Sequence, residues 1–448
     1  MKNSTKWIIA IVCLLVVIGV VLFIVIRNIE KEKTQFEFAT IWQVGTADKE
    51  KMPPDFSKAS DRVRMSRQGF VKGLSTHPGM ENYEEVIISE SSDPRAFENG
   101  IADLYANSNI LLTIGGTTDE ITMNASMEMN YFKIPILIPF ADGDFSSDDS
   151  AQPYSIRMTP TAQKYAEYFN GLFSSNLFTY INNVIFMDRS IPEYAINVAV
   201  FFLDNYNGHN TAVNITQVIM ENGYNVDVFS PYPSLPELQY MIQSMWLNDP
   251  ERMNEIDVVL IIGEDGESMA GMSGINKMWK DRNLEPLFYL VGFLPYSVEE
   301  DIFNARNIFA IQQALDFSHC PAEIVNRSEA MGYAAGYIVS SVMNTAQQKQ
   351  PDEPGLLQLL FSSPDRRKSL HQDYLASYRE NIRSILLEMD DNIPCFGRGD
   401  FDVNSDLNVN LELVRYTGID QQESVGSGVL TDYLIDKIRH EYNLFESE

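Results

Sequence analysis

The chain has 448 residues, 45% of them hydrophobic and 21% charged, with a formal net charge of −29. That length supports two cores, and the apolar content describes a folded protein rather than a disordered one. A surface so acidic, with no basic stripe, excludes nucleic acid as a natural partner. The chain holds three cysteines and five histidines but no CxxC or His/Cys cluster. Nothing in that pattern calls for a structural zinc site or a cofactor.

Trp7 to Ile26 is an uninterrupted uncharged stretch. At about 1.5 Å rise per residue it spans roughly 30 Å, the thickness of a bilayer's hydrocarbon core. The run is too long for a signal-peptide core, and Arg27-Asn28 follows it with no small-residue cleavage site. Cys13 lies within it without a lipobox. An uncleaved transmembrane anchor is expected. Basic residues flank it almost equally, Lys2 and Lys6 before it and Arg27, Lys31 and Lys33 after it, so they do not orient it.

From Phe38 onward, strand-like and helix-like segments alternate. Phe38–Val44 reads as a strand, Asp61–Leu74 as a helix, Glu84–Glu90 as a strand, Pro94–Asn107 as a helix and Asn109–Ile114 as a strand. Ala125–Phe132 reads as a helix and Ile134–Pro139 as a buried strand. Short apolar runs separated by helices predict a parallel sheet covered on both faces. The pattern then restarts: Pro160–Phe173 is amphipathic, Ala195–Leu203 a buried strand, Thr211–Asn222 a helix and Tyr224–Phe229 a strand. Leu235–Leu247 (helix), Ile256–Ile262 (strand), Ser273–Arg282 (helix) and Pro286–Val291 (strand) complete it. Two successive βαβαβ units predict two doubly wound α/β lobes. Beyond them lie helices over Ser328–Thr345 and Leu370–Glu388, an alternating strand over Asn408–Tyr416 and a helix over Thr431–Tyr442.

The order of these segments resembles the type I periplasmic binding proteins, the family of branched-chain amino acid binding proteins and receptor ligand-binding regions. Asn109–Thr118 (NILLTIGGTT) resembles its strand ending in a Gly-rich turn with Ser/Thr, and Ile134–Ala141 (IPILIPFA) its second ligand-side loop. Tyr154–Pro160 (YSIRMTP) resembles the first crossover between lobes, and Val198–Gly208 (VAVFFLDNYNG) the second lobe's first strand and loop. Gly332–Ala346 resembles the late helix and Gly397–Asp402 the closing turn. The resemblance covers nearly the whole chain after Phe38. It implies a three-segment hinge, and a domain outside the cytoplasm that closes around a small polar solute, amino acid-like or related. The implied partners are an ABC-type permease or a signalling membrane protein. The implied division is residues 1–6 as a cytoplasmic tip, 7–26 as the anchor and 27–37 as a stalk. Residues 38–158 with part of 318–400 form the first lobe, and 159–317 with part of 401–448 the second.

The resemblance also points to ligand contacts. Thr117 and Thr118, in the Gly115-Gly116 turn, stand where the family holds a ligand carboxylate; Thr118 as a plain helix cap is the alternative. Phe140 and Asp142 occupy the second loop, where an aspartate departs from the family pattern and suits an amine or polyol unless it is only a turn residue. Tyr206 stands where an aromatic side chain stacks on the ligand, or else packs on its own lobe. Glu264 and Asp265 follow a buried strand and offer polar contacts or remain solvated. Gly292-Phe293-Leu294 replaces the carboxylate that the family uses for an amino group, leaving Phe293 there. Cys320 and Cys395 fall near the second and third crossovers, where a disulfide is allowed outside the cytoplasm and two unpaired thiols are the alternative.

Two other readings compete. Gly266-Glu267-Ser268-Met269-Ala270 loosely resembles a nucleophile elbow, which would make the chain a membrane-anchored hydrolase. Three residues separate it from the expected end of its strand, so a structural turn is preferred and the chain is read as a non-enzyme. Asp400–Asp406 hints at a calcium loop but lacks the turn glycine and the final glutamate. A ligand-free interaction protein on the same fold is the third reading.

Overall fold

The computed structural model describes residues 20, 36–43, 56–89, 100–102, 104–105, 109–116, 119–141, 153–173, 196–268, 271–294, 300–303, 305–355, 358–359, 362–401, 406–418 and 421–425. The expected anchor Trp7–Ile26, apart from Val20, and the helix Thr431–Tyr442 lie outside these residues, as does most of the helix Pro94–Asn107. Among the described residues no helix is long and apolar enough to cross a membrane.

The first sheet is built from β1 (Phe36–Trp42), β2 (Tyr83–Ser89), β3 (Ile110–Gly115), β4 (Ile136–Ile138) and β5 (Ser155–Arg157). All its pairings are parallel, in the order β2-β1-β3-β4-β5. Helix α1 (Asp61–Leu74) starts where Ser60 accepts from the Val63 amide, satisfying a donor that a helix start leaves open. Helix α2 (Asp119–Phe132) precedes β4, and α3 (Ala162–Leu172) follows β5.

The second sheet contains β6 (Asn197–Leu203), β7 (Asn225–Tyr232), β8 (Val258–Ser268), β9 (Leu287–Leu294) and β10 (Ile308–Gln313). Their helices are α4 (Tyr206–Glu221), α5 (Leu235–Asn248), α6 (Pro250–Asn254), α7 (Met272–Lys280) and α8 (Glu300–Phe303). The chain then adds α9 (Arg327–Gln348), α10 (Pro364–Leu387), the hairpin β11 (Asp390–Ile393) and β12 (Gly397–Asp400), and last β13 (Leu411–Gly418) and β14 (Gln421–Ser424). The second sheet runs β14-β13-β10-β9-β8-β6-β7. Its five inner strands are parallel, while β13 and β14 extend it antiparallel.

Each sheet has a core on both faces. Phe70, Leu112, Ile338 and Tyr378 join α1, α9 and α10 to one face of the first sheet, and Ile41, Ile136 and Met129 join α2 to the other. Phe169, Val200 and Ile215 cover one face of the second sheet, and Phe201, Ile242 and Trp279 the other. Strands buried on both faces have no polar side to alternate with, which is why they read as continuous apolar runs.

Several elements depart from the sequence reading. Helix α4 begins at Tyr206 rather than Thr211, because the Asn205 side chain accepts from the Gly208 amide and caps it. Asn207-Gly208 has the look of a loop. Gly208 is nonetheless helical, and a Cβ there would sit 2.3 Å from the Leu203 carbonyl. Strand β8 continues through Ser268 with an irregularity between Ile262 and Glu267, so Ser268 ends a strand and is not separated from one. Of Gly397–Asp402, expected as a closing turn, Gly397–Asp400 forms the second strand of the β11–β12 hairpin. Strand β10 has no counterpart in the sequence reading.

In the first lobe α1 and α9 touch backbone to backbone. A Cβ on Gly69 would lie 2.0 Å from the Glu329 carbonyl oxygen, and one on Gly332 1.9 Å from that of Ser66. Ser340 donates to the Gly73 carbonyl at 3.2 Å, and Lys72 pairs with the buried Glu329 at 2.6 Å.

Among the described residues the chain crosses between the two sheets three times. Near the first and third, Arg157 and Asp406 form a buried ion pair, with Nη2 to Oδ2 at 2.7 Å. The Leu407 amide donates to the Arg157 carbonyl at 2.8 Å, and the Ala314 amide to the Asn410 carbonyl at 2.8 Å. Cys320 and Cys395 form a disulfide. Both cysteines pack with Ile324, Ala330 and Tyr333, so the bridge fastens the second crossing to the β11–β12 hairpin on the first-lobe side of the waist.

Two outcomes follow from this packing. Asp406→Ala removes one partner of a buried ion pair and is expected to cost about 3–5 kcal/mol in urea unfolding, whereas replacing both partners with apolar residues recovers most of that loss. Gly332→Ala overpacks the helix contact at a cost of about 1–3 kcal/mol. Gly355→Ala, with nothing within 4 Å of the new methyl, leaves the urea midpoint unchanged.

Candidate functional site

Within each lobe the parallel strands follow one scheme: β2-β1-β3-β4-β5 in the first and β7-β6-β8-β9-β10 in the second. The chain leaves the central pair of such a sheet in opposite directions, and this opens a crevice at the strands' carboxyl ends. In the first lobe that point carries Gly115 (φ 142°) and Gly116 (φ 84°). A Cβ on Gly116 would meet Thr122 Oγ1 at 1.6 Å, so only glycine lets β3 turn into α2 here.

One cavity lies where the carboxyl ends of the two sheets face each other. The first lobe supplies Arg62 and Ser66 from α1, Phe140 from the end of β4, and Arg327, Ser328 and Met331 from α9. The second supplies Tyr165, Gly292 at the end of β9 and Ile311 of β10. Thr159, Pro160, Gln312 and Gln313 form the floor, where the chain crosses. The cavity measures about 20 Å³, room for about one water. A larger hollow of about 430 Å³ opens beside the waist near Asp316, Phe396 and Asn408. Volume alone does not single out a site; the smaller cavity is preferred because strand ends of both lobes and two helix starts meet there.

The walls are held by hydrogen bonds. Arg62 Nη2 donates to the Phe140 carbonyl at 3.1 Å, and the Phe140 ring rests on Trp42 with centroids 5.4 Å apart. Thr159 Oγ1 donates to the Ala141 carbonyl at 2.5 Å, and Gln313 Nε2 to the Met158 carbonyl at 3.2 Å. Arg327 Nη1 donates to the Gln313 carbonyl at 2.6 Å. Asn326 caps α9 by accepting from the Glu329 amide at 2.9 Å, which sets Arg327 and Ser328 in its first turn. Ser328 is 3% exposed, and its Oγ has no hydrogen-bond partner. Behind the floor, burial pushes the Glu412 carboxyl above its ordinary range, while the Gln312 side chain and the Arg327 charge pull it down.

Of the candidate ligand contacts whose side chains are described, Phe140 and not Tyr206 lines this cavity; Phe140 is 3% exposed and acts as a wall. Tyr206 is 60% exposed at the first position of α4 and does not line it. It starts the helix that Asn205 caps rather than standing in a loop. Thr117, Thr118 and Asp142 lie outside the described residues. Glu264 and Asp265 fall within β8 and Phe293 within β9, where only the strand backbone is described. Asp402–Ser405 of the supposed calcium loop lie outside the described residues, and Asp406 is engaged by Arg157. Sequence reading missed Arg62, Arg327, Ser328, Gln312 and Gln313. The available signals were the helix-start patterns Ser60-Asp61-Arg62 and Asn326-Arg327-Ser328-Glu329.

No family model matches the sequence, and no curated protein matches it. Solved structures do match. A leucine binding protein from Thermotoga maritima MSB8 aligns with TM-score 0.57 and 12% identity over 87% of this chain and 98% of its own. An extracellular ligand-binding receptor from Rhodopseudomonas palustris HaA2 gives 0.57 and 12% over 87% of this chain and 100% of its own. An ABC transporter substrate-binding protein from Desulfitobacterium hafniense in complex with Leu gives 0.51 and 12% over 88% and 100%. These likenesses define the fold: a two-lobed α/β architecture of the type I periplasmic binding kind. The neighbours are named as binding proteins and receptors, not as enzymes.

Because the Glu412 carboxyl is raised in the folded protein, its contribution to stability is full below the unfolded value of 4.5 and is lost as pH rises through the folded value. Glu412→Gln is expected to flatten the fall in stability above about pH 4.5, read by urea midpoints across that range.

Proposed function

We propose that this chain is a solute-binding protein that captures a small polar, amino acid-like molecule between its lobes. It acts outside the cytoplasm, tethered by Trp7–Ile26, and serves an ABC-type importer or a signalling partner. The observation that carries this reading is the convergence of both sheets' carboxyl ends on one cavity across a three-crossing waist. Backbone donors and helix starts collect at such ends and suit polar solutes.

A cavity of about 20 Å³ admits no amino acid, so capture requires the lobes to part about the waist and close again. A solute that contacts both lobes favours the closed form by that differential affinity, and closure is the signal a membrane partner reads. The Cys320–Cys395 disulfide supports an oxidising compartment. The structural neighbours, one of them named as a complex with Leu, support the amino acid class. The narrowness of the cavity is also the observation that favours a second reading, an interaction protein that keeps the fold without a ligand.

Thermal unfolding of the full chain in detergent, with leucine, isoleucine, other amino acids, sugars, purines and short amides, separates the two. A true ligand at about 100 times its Kd adds about 2.7 kcal/mol of stability. Unchanged stability with every class favours the interaction protein.

A further inference from the structure

We infer that the outer face of α4 is a contact between two copies of this chain, which meet through it about a two-fold axis at Val213. The inference is independent of what the cleft holds.

Helix α4 turns Ala212, Ile215 and Ile219 into the core of the second lobe. At about 100° per residue, Tyr206, His209, Val213, Gln217 and Met220 fall within about 40° of one line on the opposite side, and all five are exposed. Tyr206 and Met220 are each 60% exposed. Beside them stands Phe229 of the edge strand β7, partly exposed, with its ring 6.2 Å from that of His209. Val213, Gln217 and Met220 face Phe229 across a shallow groove. Apolar side chains exposed singly need no explanation, but a contiguous strip does.

The strip is also free of charge. Residues 206–220 include no Asp, Glu, Lys or Arg, although 21% of the chain is charged. Two bodies that each carry a net charge of −29 repel one another. A copy of this chain approaches most readily where that charge is missing.

The order of the residues assigns the occupant. Tyr206 and Met220 lie at equal separations on either side of Val213, and so do His209 and Gln217. The helix laid antiparallel on its own copy, with the axis at Val213, sets Tyr206 against the partner's Met220 and His209 against the partner's Gln217. Aromatic rings and thioethers attract. Gln217 Nε2 donates to Glu221 at 2.8 Å, which leaves its Oε1 to accept from a histidine ring N–H. The acidic residues that bound the strip, Asp204 and Glu221, meet the partner's Asn222 and the partner's Asn205, so like charges do not collide. A two-fold contact requires each residue to suit its mirror position, and a foreign partner imposes no such order.

A contact of this length, roughly 20 Å, with Phe229 at its rim, buries on the order of 1,000 Å² in total, the size of a weak and reversible association. None of its residues lines the cavity between the lobes. Pairing therefore leaves that cavity untouched.

Sedimentation equilibrium of the full chain in density-matched detergent tests this, and a reversible dimer is expected. Val213→Glu puts two like charges on the axis and should weaken the dimer at least about tenfold, with no change in thermal midpoint because the side chain is exposed. Met220→Glu should weaken it as well, and adding Tyr206→Lys should restore it, since the antiparallel register sets those two positions opposite each other. In a Cys13→Ser background, Val213→Cys should form a covalent dimer on mild oxidation faster than Leu247→Cys, an exposed position outside the strip. A chain that stays monomeric at every concentration leaves the strip to another occupant and overturns the inference. So does a dimer that Val213→Glu does not shift, a failure of Tyr206→Lys to rescue Met220→Glu, or equal crosslinking at the two cysteine positions.

Discussion

The waist between the lobes is the constraint on which the rest depends. Three crossings lie side by side, joined by the Leu407 amide to the Arg157 carbonyl, the Ala314 amide to the Asn410 carbonyl and the Gln313 side chain to the Met158 carbonyl. The buried Arg157–Asp406 pair sits among them. A buried ion pair is seldom a net stabiliser, since desolvation offsets attraction, but it is costly to break. It therefore suits a place where register matters more than stability. The same crossings deliver Thr159, Gln312 and Gln313 to the cavity floor, so hinge and site share residues. The Cys320–Cys395 bridge fixes one margin of this waist without spanning it. A bridge closing a 75-residue separation typically contributes about 2–4 kcal/mol, mostly by restricting the unfolded chain.

Cavity size and hinge together set how the molecule works. A closed floor with room for about one water cannot be filled by diffusion of a solute into a rigid body. On the proposed reading, capture and lobe movement are then one event. The glycine-mediated contact of α1 with α9 would keep the first-lobe wall rigid during such a movement, because neither helix can slide without driving backbone into backbone. On that reading, rigid walls and a jointed floor would convert ligand contacts into a change of lobe angle rather than a local adjustment.

Most of the fold was legible in the sequence because parallel strands buried on both faces write themselves as unbroken apolar runs. Leu111-Leu112, Val198–Phe202 and Val258–Ile262 are of this kind, and the helix read over Asp61–Leu74 is α1. What failed was local punctuation. Asn207-Gly208 reads as a loop, yet it is helical because Asn205 caps the helix three residues before that glycine. Strand β10 ends on two glutamines and was passed over, although those glutamines form the cavity floor. The site was less legible, for a physical reason. Its residues come from helix starts and crossings that meet only when the chain has passed three times between the sheets. Ser328 and Arg62 are 266 positions apart by their numbers and look like ordinary helix-start residues. Phe140, singled out by the resemblance of its loop, lines the cavity; Tyr206 begins a helix that starts earlier than composition suggests.

The central claim is that the lobes open and close about this waist, and the distance between them measures it directly. Spin labels at Tyr131 of the first lobe and Tyr240 of the second, which are 79% and 73% exposed, report that distance by pulsed electron resonance in the ligand-free chain. The account predicts a broad or two-peaked distribution extending beyond the separation seen in the closed structure. A single narrow peak at the closed separation would contradict it.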